Sequence, residues 1–103
     1  MIKVSVLYPW TPGASFDMDY YCTKHMALVR KRFGKAVKGV SVDEGLAGET
    51  ATSKPPYAAI GHVLFETLED LQKAFAAHGE AIMADIPNYT TIEPIIQISE
   101  VRL

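Results

Sequence analysis

Apolar and polar residues alternate from Ile2 to Tyr8, with Ile2, Val4, Val6 and Tyr8 on one side and Lys3, Ser5 and Leu7 on the other. This period of two is the signature of a strand. Pro9-Trp10-Thr11-Pro12-Gly13 ends it, because proline removes backbone donors and glycine permits positive φ. From Phe16 to Phe33 the period changes: Met18, Cys22, His25, Val29 and Phe33 fall on one helical stripe, widened by Tyr21, Met26 and Leu28. Asp17 and Asp19 at the start and Gly34 just past the end are helix boundary signals. A second strand is predicted over Val37 to Leu46, followed by a polar surface loop from Ala47 to Pro56. Tyr57 to Phe65 reads as a third strand, with Ile60, His62 and Leu64 on one face. Thr67-Leu68-Glu69-Asp70 resembles a helix cap, and Leu68, Leu71, Phe75, His78 and Ile82 continue a helical stripe. Gly79 is expected to break that helix before a turn from Glu80 to Asp85, which Pro87 closes. A last strand is predicted from Thr91 to Val101, apolar on both faces through Ile95, Ile96 and Ile98.

The resulting order, strand-helix-strand-strand-helix-strand, belongs to the α+β class and fits the ferredoxin-like βαββαβ arrangement, a four-stranded antiparallel sheet with both helices on one face. The other face is left bare. We expect it to carry Tyr57, Val63, Phe65 and part of the Ile95–Ile98 run, a patch too apolar to face water. A second copy of the sheet is the simplest cover, so a homodimer is expected.

Composition narrows the partners. A chain of 103 residues suits one domain, residues 1–103, and 49% hydrophobic with 21% charged residues suits a folded one. The net charge of −2 offers no attraction to a polyanion, so nucleic acid is not an expected partner. The cluster Arg30, Lys31, Arg32, Lys35 and Lys38 begins at the end of the first helix, where cations complement the helix dipole. A single cysteine, Cys22, allows no internal disulfide and makes the cytoplasm the default compartment. No segment has the length of a membrane span, and no membrane contact is expected. His25, His62 and His78 lie on three different elements with no Cys or carboxylate at ligand spacing, so neither a metal nor another cofactor is called for.

Two separated blocks carry a resemblance to a known family. The segment Phe16-Asp17-Met18-Asp19-Tyr20-Tyr21-Cys22-Thr23-Lys24-His25-Met26-Ala27-Leu28-Val29 is similar to the signature of the EthD family, named after a component of ethyl tert-butyl ether degradation. Ala84-Asp85-Ile86-Pro87-Asn88-Tyr89-Thr90, with Glu93-Pro94 and the strand that follows, resembles the family's carboxy-terminal motif. Tyr8-Pro9 and Pro12-Gly13 extend the likeness over essentially the whole chain. The resemblance implies a dimeric α+β barrel, in which two ferredoxin-like subunits press their sheets together and each keeps a pocket between helices and sheet. It also implies a hydrophobic or aromatic small-molecule ligand, and chemistry of the cofactor-free monooxygenase, isomerase, cyclase or decarboxylase type. The chain departs from the family pattern at Ala27, Trp10 and Cys22, where a proline, a small polar residue and a leucine are common.

His25 is the leading catalytic candidate, because it lies on an apolar helical stripe and changes protonation near neutral pH. The alternative is a core histidine satisfied by a neighbouring hydroxyl. Tyr8, Tyr21 and Tyr89 are candidates to present hydroxyls to a bound oxygen atom, or else pack with their hydroxyls at a rim. Trp10 is placed to act as a lid, and Cys22 lies one helical position from His25. His62 points either into the core or at the pocket, and His78, before Gly79, suits a helix C-terminus or a place beside the ligand. Asp85 and Asn88 read as turn residues bonding their own backbone. Three functions remain open from the sequence: a small homodimeric catalyst with His25 as proton carrier, a non-catalytic protein that sequesters or delivers an apolar metabolite, and, ranked last, a haem binder through His25 or His78.

Overall fold

The computed structural model describes residues 1–103. Strands β1 (Ile2–Pro9), β2 (Val37–Glu44), β3 (Tyr57–Phe65) and β4 (Ile95–Glu100) form one sheet in the order β2-β3-β1-β4, every neighbouring pair antiparallel. Two helices cover one face. Helix α1 runs through three continuous segments, α-helical Met18–Tyr20, π-helical Tyr21–His25 and α-helical Met26–Phe33, and α2 spans Leu68–Ala84. This is the ferredoxin-like α+β arrangement expected from the element order.

The local chemistry sets the boundaries. Helix α1 begins at Met18 and not at Phe16, because the Asp17 carboxylate accepts the Tyr20 N–H at 3.0 Å. Phe16 instead forms an isolated antiparallel bridge with Thr90, while Asp17 N–H donates to the Tyr89 carbonyl at 2.7 Å. Gly34 ends α1 at φ 59°, a conformation that costs glycine little. Thr67 caps α2 by accepting the Asp70 N–H at 3.1 Å.

Three expectations about the elements are corrected. Gly79 does not break α2, which continues to Ala84; the glycine is buried, and a β-carbon there would come within 3.0 Å of the Phe75 ring. Tertiary packing thus overrides a propensity cost of about 1 kcal/mol. His78 accordingly sits inside α2, not at a helix end. Strand β2 stops at Glu44 and β4 starts only at Ile95, after Pro94, whose missing N–H cannot join a ladder.

The face assignment of β3 is the fourth correction. Ala59, Gly61, Val63 and Phe65 all point at the helices and are buried, so Val63 and Phe65 are core residues. The small pair Ala59 and Gly61 makes room for the bulky α1 side chains, with Tyr21 and Met26 lying directly against Gly61. The opposite, open face carries Lys3, Ser5 and Leu7 of β1 in register with Leu64, His62 and Ile60 of β3 and with Ser99, Gln97 and Ile95 of β4. Ile96 and Ile98 point to the helix side but lie on the edge strand, where they stay 42% and 54% exposed.

Candidate functional site

The π-helical turn determines which side chains of α1 face the sheet. Tyr21, His25, Val29 and Phe33, all buried, recur every four residues. In a regular α-helix such a stripe would drift about 40° per step. The wider turn absorbs that drift: the Met26 N–H reaches back to the Tyr21 carbonyl, five residues away. Cys22 is pushed off the stripe by the same turn. It is exposed, its thiol donates to the Met18 sulfur at 3.7 Å, and it does not line the cavity beside His25.

His25, 4% exposed, is held by one carboxylate. Its Nδ1 bonds Asp85 Oδ2 at 2.9 Å, while Asp85 Oδ1 accepts from the Tyr20 hydroxyl and from the Asn88 amide, each at 2.8 Å. Asp85 lies just past α2 and Asn88 in the short 3-10 turn Ile86–Asn88. The bridge between Phe16 and Thr90, reinforced by Thr90 Oγ1 donating to the Ser15 carbonyl at 2.7 Å, brings this turn against the start of α1. Asp85 is the residue that sequence reading missed. It does bond Asn88 locally, but its main role depends on a partner 60 positions away.

Partial burial alone would raise the Asp85 pKa, but the donors Asn88, His25 and Tyr20 outweigh it and hold the carboxyl below its usual value. An ionised Asp85 accepts only, so His25 Nδ1 carries the proton. Burial pushes His25 below its ordinary value of 6.5, against an opposing pull from Asp85. The ring is therefore neutral at pH 7 and Nε2 is unprotonated. Nε2 has no hydrogen-bond partner in the protein, and since no buried side-chain nitrogen or oxygen lacks one, Nε2 keeps some accessible surface, on a ring that lines the cavity. The sign of the linkage follows. The folded chain binds fewer protons at His25 than the unfolded one, and this contribution to stability, full above pH 6.5, is lost as pH falls through the lower folded value.

Three tyrosines complete the group. Tyr8 at the end of β1 and Tyr89 share a hydrogen bond of 2.5 Å between their hydroxyls. The Tyr21 ring stacks on His25 at 5.4 Å, and Tyr89 lies 4.7 Å from the same imidazole. Phe16 packs edge-on against Tyr8 and Tyr21 at 5.0 and 5.1 Å. Burial raises all three phenols, so each is a neutral donor throughout the physiological range. Burial likewise makes the Tyr8–Tyr89 pair interior, where the sequence left a rim position open.

Tyr8, Tyr21 and His25 line a cavity of about 40 Å³, otherwise apolar and walled by Val4, Val29, Phe33 and Val63. Its outer wall is Met83, Ile86 and Ile96, at the gap between α2 and the edge strand. The other candidates lie elsewhere. Trp10, 37% exposed, lines a separate cleft of about 300 Å³ with Phe16, Leu46 and Ile92, and Lys54 stands 5.6 Å over its ring. His62 is on the open sheet face, bonded to Ser5 and Asp43, because the β3 register turns it away from the helices. His78 lies near Phe33, 6.5 Å between rings, outside the cavity. No group of three or more His, Cys, Asp or Glu is arranged to hold a metal ion. No helix is long and apolar enough to cross a membrane.

Known proteins place this geometry in context. The model of the EthD domain matches residues 13–93, which include every member of the His25 cluster except Tyr8. An EthD-like protein from Ralstonia eutropha JMP134 is 43% identical, with a TM-score of 0.94 over 99% of this chain and 92% of that one. An ethyl tert-butyl ether degradation (EthD) family protein from Bacillus halodurans C-125 superposes with a TM-score of 0.74 at 19% identity, over 99% of both chains. A protein of ferredoxin-like fold from Bacteroides fragilis, described as dimeric and of unknown function, gives a TM-score of 0.57 at 11% identity, over 97% and 95% of the two chains. No curated protein matches the sequence. Because the domain match spans most of the chain and a close structural relative carries the same fold end to end, the protein belongs to the EthD family.

Proposed function

We propose that this protein works as a homodimer in which each chain is a cofactor-independent acid–base catalyst acting on a hydrophobic, oxygenated small molecule. The observation that carries the reading is the tethering of His25 Nδ1 to an ionised Asp85, which leaves Nε2 as an unprotonated base on a ring that lines an apolar cavity with Tyr8 and Tyr21. In this reading Nε2 takes a proton from an O–H or an activated C–H of the ligand. Asp85 stabilises the imidazolium that forms, as it does the tautomer beforehand. The tyrosine hydroxyls donate to the developing oxyanion, in a site dry enough to strengthen each bond. His25 then returns the proton to carbon or oxygen.

A cavity of about 40 Å³ holds on the order of one water molecule and no metabolite. Ligand entry therefore requires the outer wall to move, and Met83 and Ile96, at 39% and 42% exposure, are the side chains free to do so. The dimer reading rests on the open sheet face, where Leu7, Ile60, Leu64 and Ile95 stand uncovered by any helix, and on the dimer described for the Bacteroides fragilis relative.

A base catalyst and a carrier differ in one observable. Incubated in D2O with apolar phenols and enolisable ketones, the protein is expected to accelerate exchange of an acidic ligand C–H, read by proton NMR. Binding of such compounds with no exchange above the buffer rate would identify a carrier.

A further inference from the structure

We infer that the cleft beside Trp10 is a second small-molecule site, separate from the His25 cavity, and that its ligand is a small hydroxylated aromatic carboxylate. The cleft measures about 300 Å³ and lies between the loop that follows β1 and the facing ends of β2 and β3. A volume of that order suits one substituted ring, where the His25 cavity admits about one water. The two spaces share no lining residue. Phe16 lines the cleft and packs edge-on against Tyr8 and Tyr21, which line the other cavity. The cleft is also built before any ligand arrives. The Trp10 N–H donates to the Pro56 carbonyl and the Gly45 N–H to the Ala58 carbonyl, each at 2.9 Å, so both walls are tied to the start of β3. Gly45 leaves no space for a β-carbon, which would fall against the Tyr57 carbonyl and the Pro55 ring. Pro9, Pro12, Pro55 and Pro56 bracket the two walls and limit the backbone freedom that binding would cost.

The walls decide the ligand class. Ala14, Phe16, Met18 and Ile92 give the cleft an apolar lining, and Trp10, 37% exposed, adds a flat aromatic wall with surface left to cover. The Lys54 ammonium lies over that wall, 5.6 Å from the centre of the Trp10 ring, in a cation–π contact that fixes where the charge sits. It takes part in none of the ion pairs of the chain, so its N–H donors are open to an anion. A ring that packs on the apolar lining and sets a carboxylate at Lys54 uses both features at once. Glu44 lines the same cleft and is likewise outside every ion pair. It offers an acceptor to a hydroxyl on the ring and disfavours a second negative charge, so a monocarboxylate fits better than a dicarboxylate.

Trp10 is the one tryptophan of the chain, so its fluorescence reports on this cleft. The test is titration of the full chain with para-hydroxybenzoate, excited where tyrosine does not absorb. A saturable change in Trp10 emission is expected, with binding about fivefold tighter than for para-hydroxybenzyl alcohol, which has the same ring and hydroxyl without the charge; that factor is the effect of one partly exposed ion pair. Lys54→Met, which keeps a long apolar side chain, is expected to remove the preference for the acid, and Lys54→Arg to retain it, with circular dichroism confirming the fold of both. No saturable change in wild-type emission, equal affinity for the acid and the alcohol, or a Lys54→Met protein that keeps the full preference overturns the inference. Each of these leaves the acid–base reading of His25 standing, since proton exchange reads the other cavity.

Discussion

Gly61→Ala is expected to lower the melting temperature by about 15 °C, the equivalent of about 3 kcal/mol in a domain of this size. A β-carbon at that position on β3 would fall well inside contact distance of the Tyr21 hydroxyl oxygen and within 3.1 Å of the ring carbon that bears it. Neither group has room to yield. Tyr21 is 1% exposed and is packed against Tyr8, Phe16, His25 and Tyr89. The strain therefore passes into the whole aromatic group and the imidazole stacked on it. Removing the hydroxyl with Tyr21→Phe is expected to recover part of the loss, so the double variant should be more stable than the sum of the single changes allows. A melting temperature within two or three degrees of wild type for Gly61→Ala would show that Tyr21 does not lie against β3 as described.

His25→Ala is expected to cut proton exchange and any associated turnover by ~10²-fold or more, the usual contribution of a positioned general base. The alanine variant retains the tyrosines, Asp85 and the apolar wall, so ligand binding should persist while the rate falls. That split separates a base from a packing residue. Circular dichroism is needed beside it, since the change also leaves Asp85 with two donors in place of three. An unchanged rate in a folded His25→Ala protein would remove His25 from the chemistry altogether.

Much of the fold is legible in the pattern of the chain. The alternation in β1 and β3, the Thr67 cap and the Gly34 stop each act through neighbours a few positions away, and local chemistry is what a sequence displays. Which face of β3 meets the helices was harder. Both of its faces carry apolar residues, and the choice depends on Tyr21 needing the space that Gly61 leaves. Cys22 was misplaced for a related reason: a stripe read at an ideal helical period takes no account of a π-helical turn, which rotates it outward. Gly79 shows the same limit, since its cost in an isolated helix is outweighed once the helix is buried against its neighbours.

The site was half visible. His25 and the three tyrosines stand out as polar groups among apolar ones, and the fold gathers them around one imidazole. Asp85 did not stand out, because an aspartate beside Ile86-Pro87 has an adequate local explanation as a turn residue, and that bond to Asn88 does form. The docking of the turn on α1 is made by contacts between residues far apart in the chain: the Phe16–Thr90 bridge, Asp17 with Tyr89 and Thr90 with Ser15. Trp10 and His62 sit at positions no local pattern separates from a pocket. The first falls in a neighbouring cleft and the second on the opposite face of the sheet.

The central claim is that His25, on the cavity wall, keeps Nε2 unprotonated while Asp85 holds the proton on Nδ1. Nitrogen-15 NMR of the histidine side chains tests this without knowledge of the substrate, since it distinguishes the two neutral tautomers from each other and from the cation. The expected result is a neutral His25 at pH 7 with the proton on Nδ1, titrating only below its ordinary value of 6.5. A His25 that carries its proton on Nε2, or that is already cationic at pH 7, would contradict the account.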